Sequence, residues 1–346
     1  MRSSYSKEDV TLLLKDMTGL VQPVSMEERK RRVEQGEYVR SIIIEEYEIT
    51  KEYIDIVNSY MDEFSKSMAK YVGILAEKLY AVKGDKLVLV DIVRAGIPIG
   101  ILVKRYIKKY YHVDIPHYGI SLVKGLDKEA MEYIISKHGT SGIQFIDGWT
   151  GKGTVAKEIA KSVEDLPFLG VDPSLAVLSD CIGVSKYVGT SEDVYIPNAP
   201  LNASVTGLVS ITVLNEAYKG EGDFHAAIYL ENLEEIDQSK QFVDLVSSHF
   251  AKIKSVREEY FHADDKEIDR IAERIGRDKK LLNPGINEAA RAVLRRTLEK
   301  LLVSDKKDKD LKCLIELAEY KGIPVVEDKT LCGYKAVSVA NDNYMR

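Results

Sequence analysis

From Thr50 onward, apolar residues recur three or four positions apart, at Ile54, Val57, Met61, Phe64, Met68, Tyr71, Val72, Leu75 and Leu79. This is the stripe of a long amphipathic helix, capped by Thr50 and ending near Gly84. The pattern then shortens to Leu87-Val88-Leu89-Val90, a run that predicts a buried strand, followed by a loop at Arg94-Ala95-Gly96 and a helix from Pro98 to Tyr110. The unit recurs: Tyr118 to Val123 predicts a strand and Glu129 to Lys137 a helix, Ile143 to Ile146 a strand and Thr154 to Val163 a helix. Leu175 to Leu178 is a further buried strand. Strands alternating with helices predict an α/β fold, a parallel sheet with helices on both faces. At the start of the chain, Ser4 and Ser6 ahead of Lys7-Glu8-Asp9-Val10 and Leu12-Leu13-Leu14 predict a short capped helix.

After Ser239 the pattern turns to alternating charge, in Glu258-Glu259, Asp264-Asp265-Lys266-Glu267 and Asp278-Lys279-Lys280. A boundary is expected between residues 250 and 265, dividing the chain into 1–255, with an N-terminal helical extension, and 256–346. The second unit carries a helix from Gly285 to Arg296, a strand from Lys300 to Val303, a helix from Asp310 to Lys321, and strands at Val325 and from Ala336 to Val339. These predict a small α/β sandwich.

Composition narrows the classes. With 346 residues, 45% hydrophobic and 30% charged, the chain can bury more than one core. A net charge of −6 argues against a general nucleic-acid binder, though it allows a local basic patch. The three cysteines, Cys181, Cys313 and Cys332, form no CxxC or Cys/His cluster, which predicts reduced thiols. No leader-like segment opens the chain and no apolar run is long enough for a bilayer, so a cytoplasmic location without membrane partners is expected.

The loop after Ile146 reads Asp147-Gly148-Trp149-Thr150-Gly151-Lys152-Gly153-Thr154 and opens a helix. Small residues bring backbone amides together at a helix N-terminus, which makes an anion cradle. A nucleotide triphosphatase loop fails, because Gly153 follows Lys152 and Ile146 stands where the first glycine belongs. The dinucleotide pattern is formally matched from Gly151 to Ala156, with Asp172 at the distance of a ribose-binding acid, but the turn comes several residues after the strand. A strand-to-helix turn without a ligand remains open beside these.

The string from Ile143 to Thr154 also resembles the type I phosphoribosyltransferase loop, and Val93-Arg94-Ala95-Gly96-Ile97-Pro98 resembles that family's diphosphate loop. The resemblance implies that Asp147 meets a ribose hydroxyl while Thr150, Thr154 and the residues Gly148, Gly151, Lys152 and Gly153 hold a phosphate. It also implies that Arg94, Ala95 and Gly96 take the diphosphate, helped by Mg²⁺ that Asp147 approaches indirectly. Lys124, in a loop that would act as a hood, completes the expected catalytic set. One departure stands out: Ile146 occupies the place of a second acid.

Nearly end to end, from Ser4-Tyr5 through Leu89 to Gly100, His117 to Ser121, Pro197 to Asn215 and Asn283 to Arg296, the chain resembles the phosphoribosyltransferase and pelota-type fusion proteins of tellurium-resistance gene clusters, the StiP family. That resemblance implies a Mg²⁺-dependent transferase acting on phosphoribosyl diphosphate and an unknown acceptor in a stress response, with a homodimer as one arrangement. A non-catalytic sensor of the same ligand or an RNA-binding regulator is the alternative. Candidate acceptor contacts are Asp180, Asn198, Ser204 and Asn215. The group also carries a cysteine-protease label, for which Cys181 is the candidate thiol. In the second unit, Asn287, Glu288 and Arg291 match the helix start by which pelota-type domains meet structured RNA, and Arg295, Arg296 and Lys300 are expected on the same side.

Overall fold

The computed structural model describes residues 1–165, 170–215, 217–218, 220–256, 264 and 266–341. Glu258, Glu259 and Asp265 of the predicted charged stretch, with the predicted boundary in part, lie outside these residues.

The first elements are short strands, β1 (Thr11–Leu12) and β2 (Lys15–Asp16), then α1 (Met26–Glu34). The predicted N-terminal helix does not form. Ser6 closes only a turn, accepting from the Asp9 and Val10 amides, and Thr11–Leu12 instead pairs in parallel with a strand far along the chain. Buried Leu12, Leu13 and Leu14 gain more from sheet and core than an isolated turn of helix offers.

The long helix α2 (Lys51–Lys83) starts at its Thr50 cap, whose hydroxyl accepts from the Tyr53 amide, and ends at Gly84 with φ +53°. Its stripe of Val57, Phe64, Met68, Val72 and Leu75 is buried. Then come β3 (Val88–Ile92), α3 (Gly96–Tyr111), β4 (His117–Ile120), α4 (Lys128–His138), β5 (Ile143–Trp149), α5 (Thr154–Asp165), β6 (Leu175–Ser179) and β7 (Tyr187–Thr190). The sheet order is β1-β4-β3-β5-β6-β7, parallel throughout. Apolar side chains of α2 and α3 fill one face, and those of α4 and α5 the other. The chain leaves β3 for β4 on one side and returns to β5 on the other. The loops after β3 and β5 therefore diverge, leaving a crevice at the carboxyl edge of the strands.

A buried 3₁₀ segment, Ala199–Val205, runs ahead of β8 (Ala226–Ala227), which pairs with β2, and α6 (Ser239–Ser248) packs on α3. The C-terminal unit holds α7 (Glu267–Ile275), β9 (Leu282–Pro284), α8 (Ile286–Arg295), β10 (Leu298–Val303), α9 (Lys312–Tyr320), β11 (Val325–Glu327) and β12 (Ala336–Ala340). Its sheet order is β11-β10-β12-β9.

The two units share one apolar core. Ile286, Ala289, Val293, Leu314 and Leu317 of the second join Val57, Phe64 and Leu201 of the first. Tyr60 donates to Glu316 across the junction at 2.7 Å, and the ring of Tyr53 meets that of Tyr320 edge-on. Among the described residues, no helix is long and apolar enough to cross a membrane.

Candidate active site

The crevice at the sheet edge is a cavity of about 400 Å³ whose walls include Arg94, Asp147, Trp149, Asn198, Arg291 and Arg295. It is composite, since α8 of the C-terminal unit roofs the loops after β3 and β5.

Asp147 lies within β5, paired opposite Val177 of β6, so the predicted loop is shorter than expected: the strand continues to Trp149 and only Thr150–Gly153 turn. The Asp147 side chain is buried and its Oδ1 accepts from the Gly148 amide at 2.7 Å. Burial pushes this carboxyl up to about 7, with Glu288 and Asp91 adding to the rise and the Gly148 amide and Arg291 opposing it.

The turn itself is occupied by protein. The Thr150 hydroxyl is hydrogen-bonded to that of Ser185 at 2.9 Å, the Gly151 carbonyl accepts from Tyr334 at 2.9 Å, and Lys152 donates to the carbonyl of Lys279 at 2.7 Å. Gly151 is required by close approach: a Cβ there would stand 2.8 Å from the Glu288 side chain. Gly153 is required by its φ of +71°. Lys152 is pushed down to about 8, by burial and then by Arg296. Of the predicted cradle, only Asp147 and Thr154 face the main cavity; Gly151, Lys152 and Gly153 line a second one of about 230 Å³ under the C-terminal unit.

Arg94, expected to grip a diphosphate, is buried and tied to the protein. It donates to Glu46 at 2.6 Å, to the Val209 carbonyl at 3.0 Å and to Asn202 at 3.0 Å. Ala95 lines the cavity beside it, and Gly96 starts α3 hard against the Ile146 carbonyl. Lys124 departs from expectation: it is exposed, has φ +54° and sets its ammonium over the ring of Tyr38, 4.1 Å from the centroid. Its strand ends at Ile120, and Leu122 and Val123 line the cavity instead. Asp147 is the lone carboxylate of the β5 loop, and the described residues hold no cluster of three His, Cys, Asp or Glu side chains fit for a metal. The donor set does not fit a protein-held Mg²⁺.

The expected RNA contacts turn inward. Asn287 is buried, its Oδ1 accepting from the Ile196 amide at 2.9 Å and its Nδ2 donating to the Val194 carbonyl at 3.0 Å. Glu288 accepts from the Trp149 indole at 3.0 Å and from Arg291 at 2.9 Å. Asp193 fastens the same junction, accepting from the amides of Ile286 and Lys335. Arg295 joins Arg291 at the cavity, but Arg296 leaves the helix in an extended conformation and Lys300 belongs to β10. Of the candidate acceptor contacts, Asn198 lines the cavity, Asp180 binds its own loop, the Ser204 hydroxyl donates to the Leu201 carbonyl and Asn215 donates to the Ser41 carbonyl. Asp172, the ribose acid of the dinucleotide pattern, pairs with Lys186 at 3.0 Å.

Several polar groups had no motif to announce them. His117 is locked between Asp91 at 2.6 Å and the Asp9 carbonyl at 2.7 Å, with both ring nitrogens engaged. The Asp91 carboxyl is pushed up by burial against the pull of His117, and its Oδ1 has no hydrogen-bond partner among the described residues. His225 Nδ1 lies 2.9 Å from the Ser121 hydroxyl, which donates to Thr212 in the cavity wall at 2.8 Å. The one available sequence signal was a polar residue inside an apolar strand, as at Asp91. Arg29 and Arg40, also in the cavity wall, sat in charged stretches with no distinguishing pattern.

The thiols stand apart from the cavity. Cys181 follows β6 on the carboxyl edge, packed against Ile182 and Tyr334; burial, then Asp193 and Asp180, push its thiol well up. Cys313 is buried under the Tyr195 hydroxyl at 3.0 Å and pushed up to about 12 by burial. Cys332 is exposed and donates to the Thr330 carbonyl. Among the described residues, no thiol has a histidine partner.

Comparison with known proteins settles the relationship. A family model described as "Tellurite-like stress resistance cysteine protease StiP" matches residues 3–247, and a "PELOTA RNA binding domain" model matches residues 262–342. A protein of Acinetobacter baylyi named "Cysteine protease StiP" is 30% identical, over 97% of this chain and 93% of its own length. These names overturn the expected Mg²⁺-dependent phosphoribosyltransferase, together with its glycosyltransferase chemistry; the minor alternative, a cysteine protease, is the one they match. The chain belongs to the StiP family of tellurite-like stress resistance proteins.

Proposed function

We propose that this chain is a thiol-dependent hydrolase acting in tellurite-type stress resistance, with Cys181 as its nucleophile. The observation that carries the reading is the near full-length relationship to a protein named for cysteine protease activity.

Position favours Cys181 over the other thiols. It leaves the carboxyl end of β6, the edge where sheets of this kind place their chemistry, whereas Cys313 is buried in α9 and Cys332 lies on an outer loop. In the docked arrangement burial and the neighbouring carboxylates keep the thiol protonated, and only a thiolate attacks. Activation therefore requires the contacts of the C-terminal unit around Gly333 and Glu267 to loosen.

The test is peptide hydrolysis and iodoacetamide labelling by the full chain and by Cys181→Ala, Cys313→Ala and Cys332→Ala. Loss confined to Cys181→Ala is the expected result. Hydrolysis that persists in all three variants overturns the reading.

A further inference from the structure

We propose that the cavity between the sheet edge and α8 is a binding site for a small phosphate-bearing anion, completed by Arg291 and Arg295 of the C-terminal unit. This goes beyond the thiol reading and stands apart from it, since no cysteine lines the cavity.

Positive charge converges on the cavity. Arg29, Arg40, Arg94, Arg291 and Arg295 all line the same space. Arg94 is neutralised by Glu46 at 2.6 Å and Arg291 by Glu288 at 2.9 Å, while Arg40 reaches Glu158 only at 3.8 Å. Arg29 finds the Val39 carbonyl, and Arg295 has no carboxylate partner among the described residues, only the ring of Tyr47. Two acids share the wall: Glu158 stands near Arg40, and Asp147 supplies little compensation, because its carboxyl is pushed up to about 7.

Unsatisfied donors point the same way. Arg29 Nε and Arg295 Nε are buried without a hydrogen-bond partner among the described residues. Arg295 is pushed down to about 10 by burial and then by Arg291 and Arg94, so its surroundings work against its own charge. Holding guanidinium groups out of water without a counter-charge is costly, and a ligand that brings the charge removes the cost.

Chemistry selects the ligand class. Converging planar guanidinium forks match the several oxygens of a phosphate or diphosphate better than a single carboxylate, and the first residue of α5, Thr154, adds the helix N-terminus to the wall. A volume of about 400 Å³ admits a small molecule and excludes an RNA duplex. The arginines expected to meet RNA thus act on a ligand held within the same chain.

The experiment is calorimetry of the full chain with sodium diphosphate at neutral pH, repeated with Arg295→Gln, Arg291→Gln and Arg105→Gln. Arg105, paired with Asp9 and Asp244 away from the cavity, is the control. The expected result is saturable binding that each cavity variant weakens by roughly tenfold or more and the control leaves unchanged. Arg295→Gln should melt no lower than the parent in the absence of anion. Should it fail to fold, Arg29→Gln carries the same expectation. Absence of saturable heat at millimolar diphosphate overturns the proposal. So does parental binding by the cavity variants, or a structured RNA hairpin that needs Arg291 and Arg295 and with which diphosphate does not compete.

Discussion

β5 and β6 are neighbours in the main sheet, and each brings an aspartate to the same edge, yet the two acids live in opposite surroundings. Asp180, just past β6, accepts from four backbone amides, those of Ile182 at 3.0 Å, Gly183 and Val184 at 2.9 Å and Ser185 at 2.6 Å. Asp147, inside β5, accepts among the described residues from the Gly148 amide alone and faces the cavity. In the first case the loop folds around the carboxylate and satisfies it. In the second the backbone stays in the sheet, its amides bond to β6, and the acid meets burial with little help. The lesson is that an acid at a strand end becomes a structural staple or a site group according to how many amides its own loop can spare.

The sharpest way to break this comparison is to remove the staple. Asp180→Ala leaves four amides beside β6 without an acceptor; at about 1 kcal/mol for each after partial rescue by water, urea unfolding should show a loss of ~4 kcal/mol. Asp180→Asn should fall between, since one oxygen remains. A loss below ~1 kcal/mol would mean that the loop is held by packing of Ile182 alone.

Asp147→Asn should move stability the other way, and only above a certain pH. Burial pushes the folded carboxyl up to about 7 from 3.8 for a free aspartate, so between those values the folded chain holds a proton that the unfolded chain has lost. Its contribution is full below pH 3.8 and is lost as pH rises through about 7. At pH 8 the asparagine variant should be more stable by at most ~4 kcal/mol, with a flatter pH profile. An Asp147→Asn profile parallel to the parent's would show that Asp147 is ionised and partnered after all.

How much of this was legible follows from what fixes each feature. The helix α2 and the strands β3, β5 and β6 are written in local periodicity, and the spacing from Ile54 to Leu79, with Thr50 and Gly84 as its stops, placed α2 within a residue of its ends. The crevice followed from strand-helix alternation. What failed was set by distant partners: Thr11–Leu12 becomes a strand because Tyr118 and Gly119 lie beside it, and no local pattern encodes that. Asn287 and Glu288 were found as a motif, but the direction they face depends on Ile196, Val194 and Trp149. A motif specifies a chemical group; the docking of one unit on the other decides what the group touches. The transferase reading went astray in the same manner, because a glycine-rich strand-to-helix turn is compatible with more than one chemistry.

Glu288→Gln tests that docking directly. Burial raises this carboxyl, but Arg291, the Trp149 indole and Arg295 outweigh it and hold it below its ordinary range. Losing the charge should cost about 1–2 kcal/mol, by weakening a charged hydrogen bond and leaving Arg291 uncompensated. Trp149 is the single tryptophan, so its emission reports the junction without labelling. A red shift in Glu288→Gln is expected; unchanged emission and stability would show that the apolar contacts across the shared core carry the docking unaided.

The smallest effect should come from the third loop at the same edge. Lys124 was expected to share in the chemistry, yet its ammonium rests on the Tyr38 ring in an exposed loop. An exposed contact of that kind contributes ~0.5 kcal/mol, so Lys124→Ala should lower stability by no more than that and leave diphosphate binding unchanged. The variant limits the comparison between Asp147 and Asp180: if the edge attracted anions through its overall charge, removing any cation there would weaken binding. If the cavity is the site, Lys124→Ala and Arg295→Gln must part company, because only Arg295 faces the space that Asp147 lines.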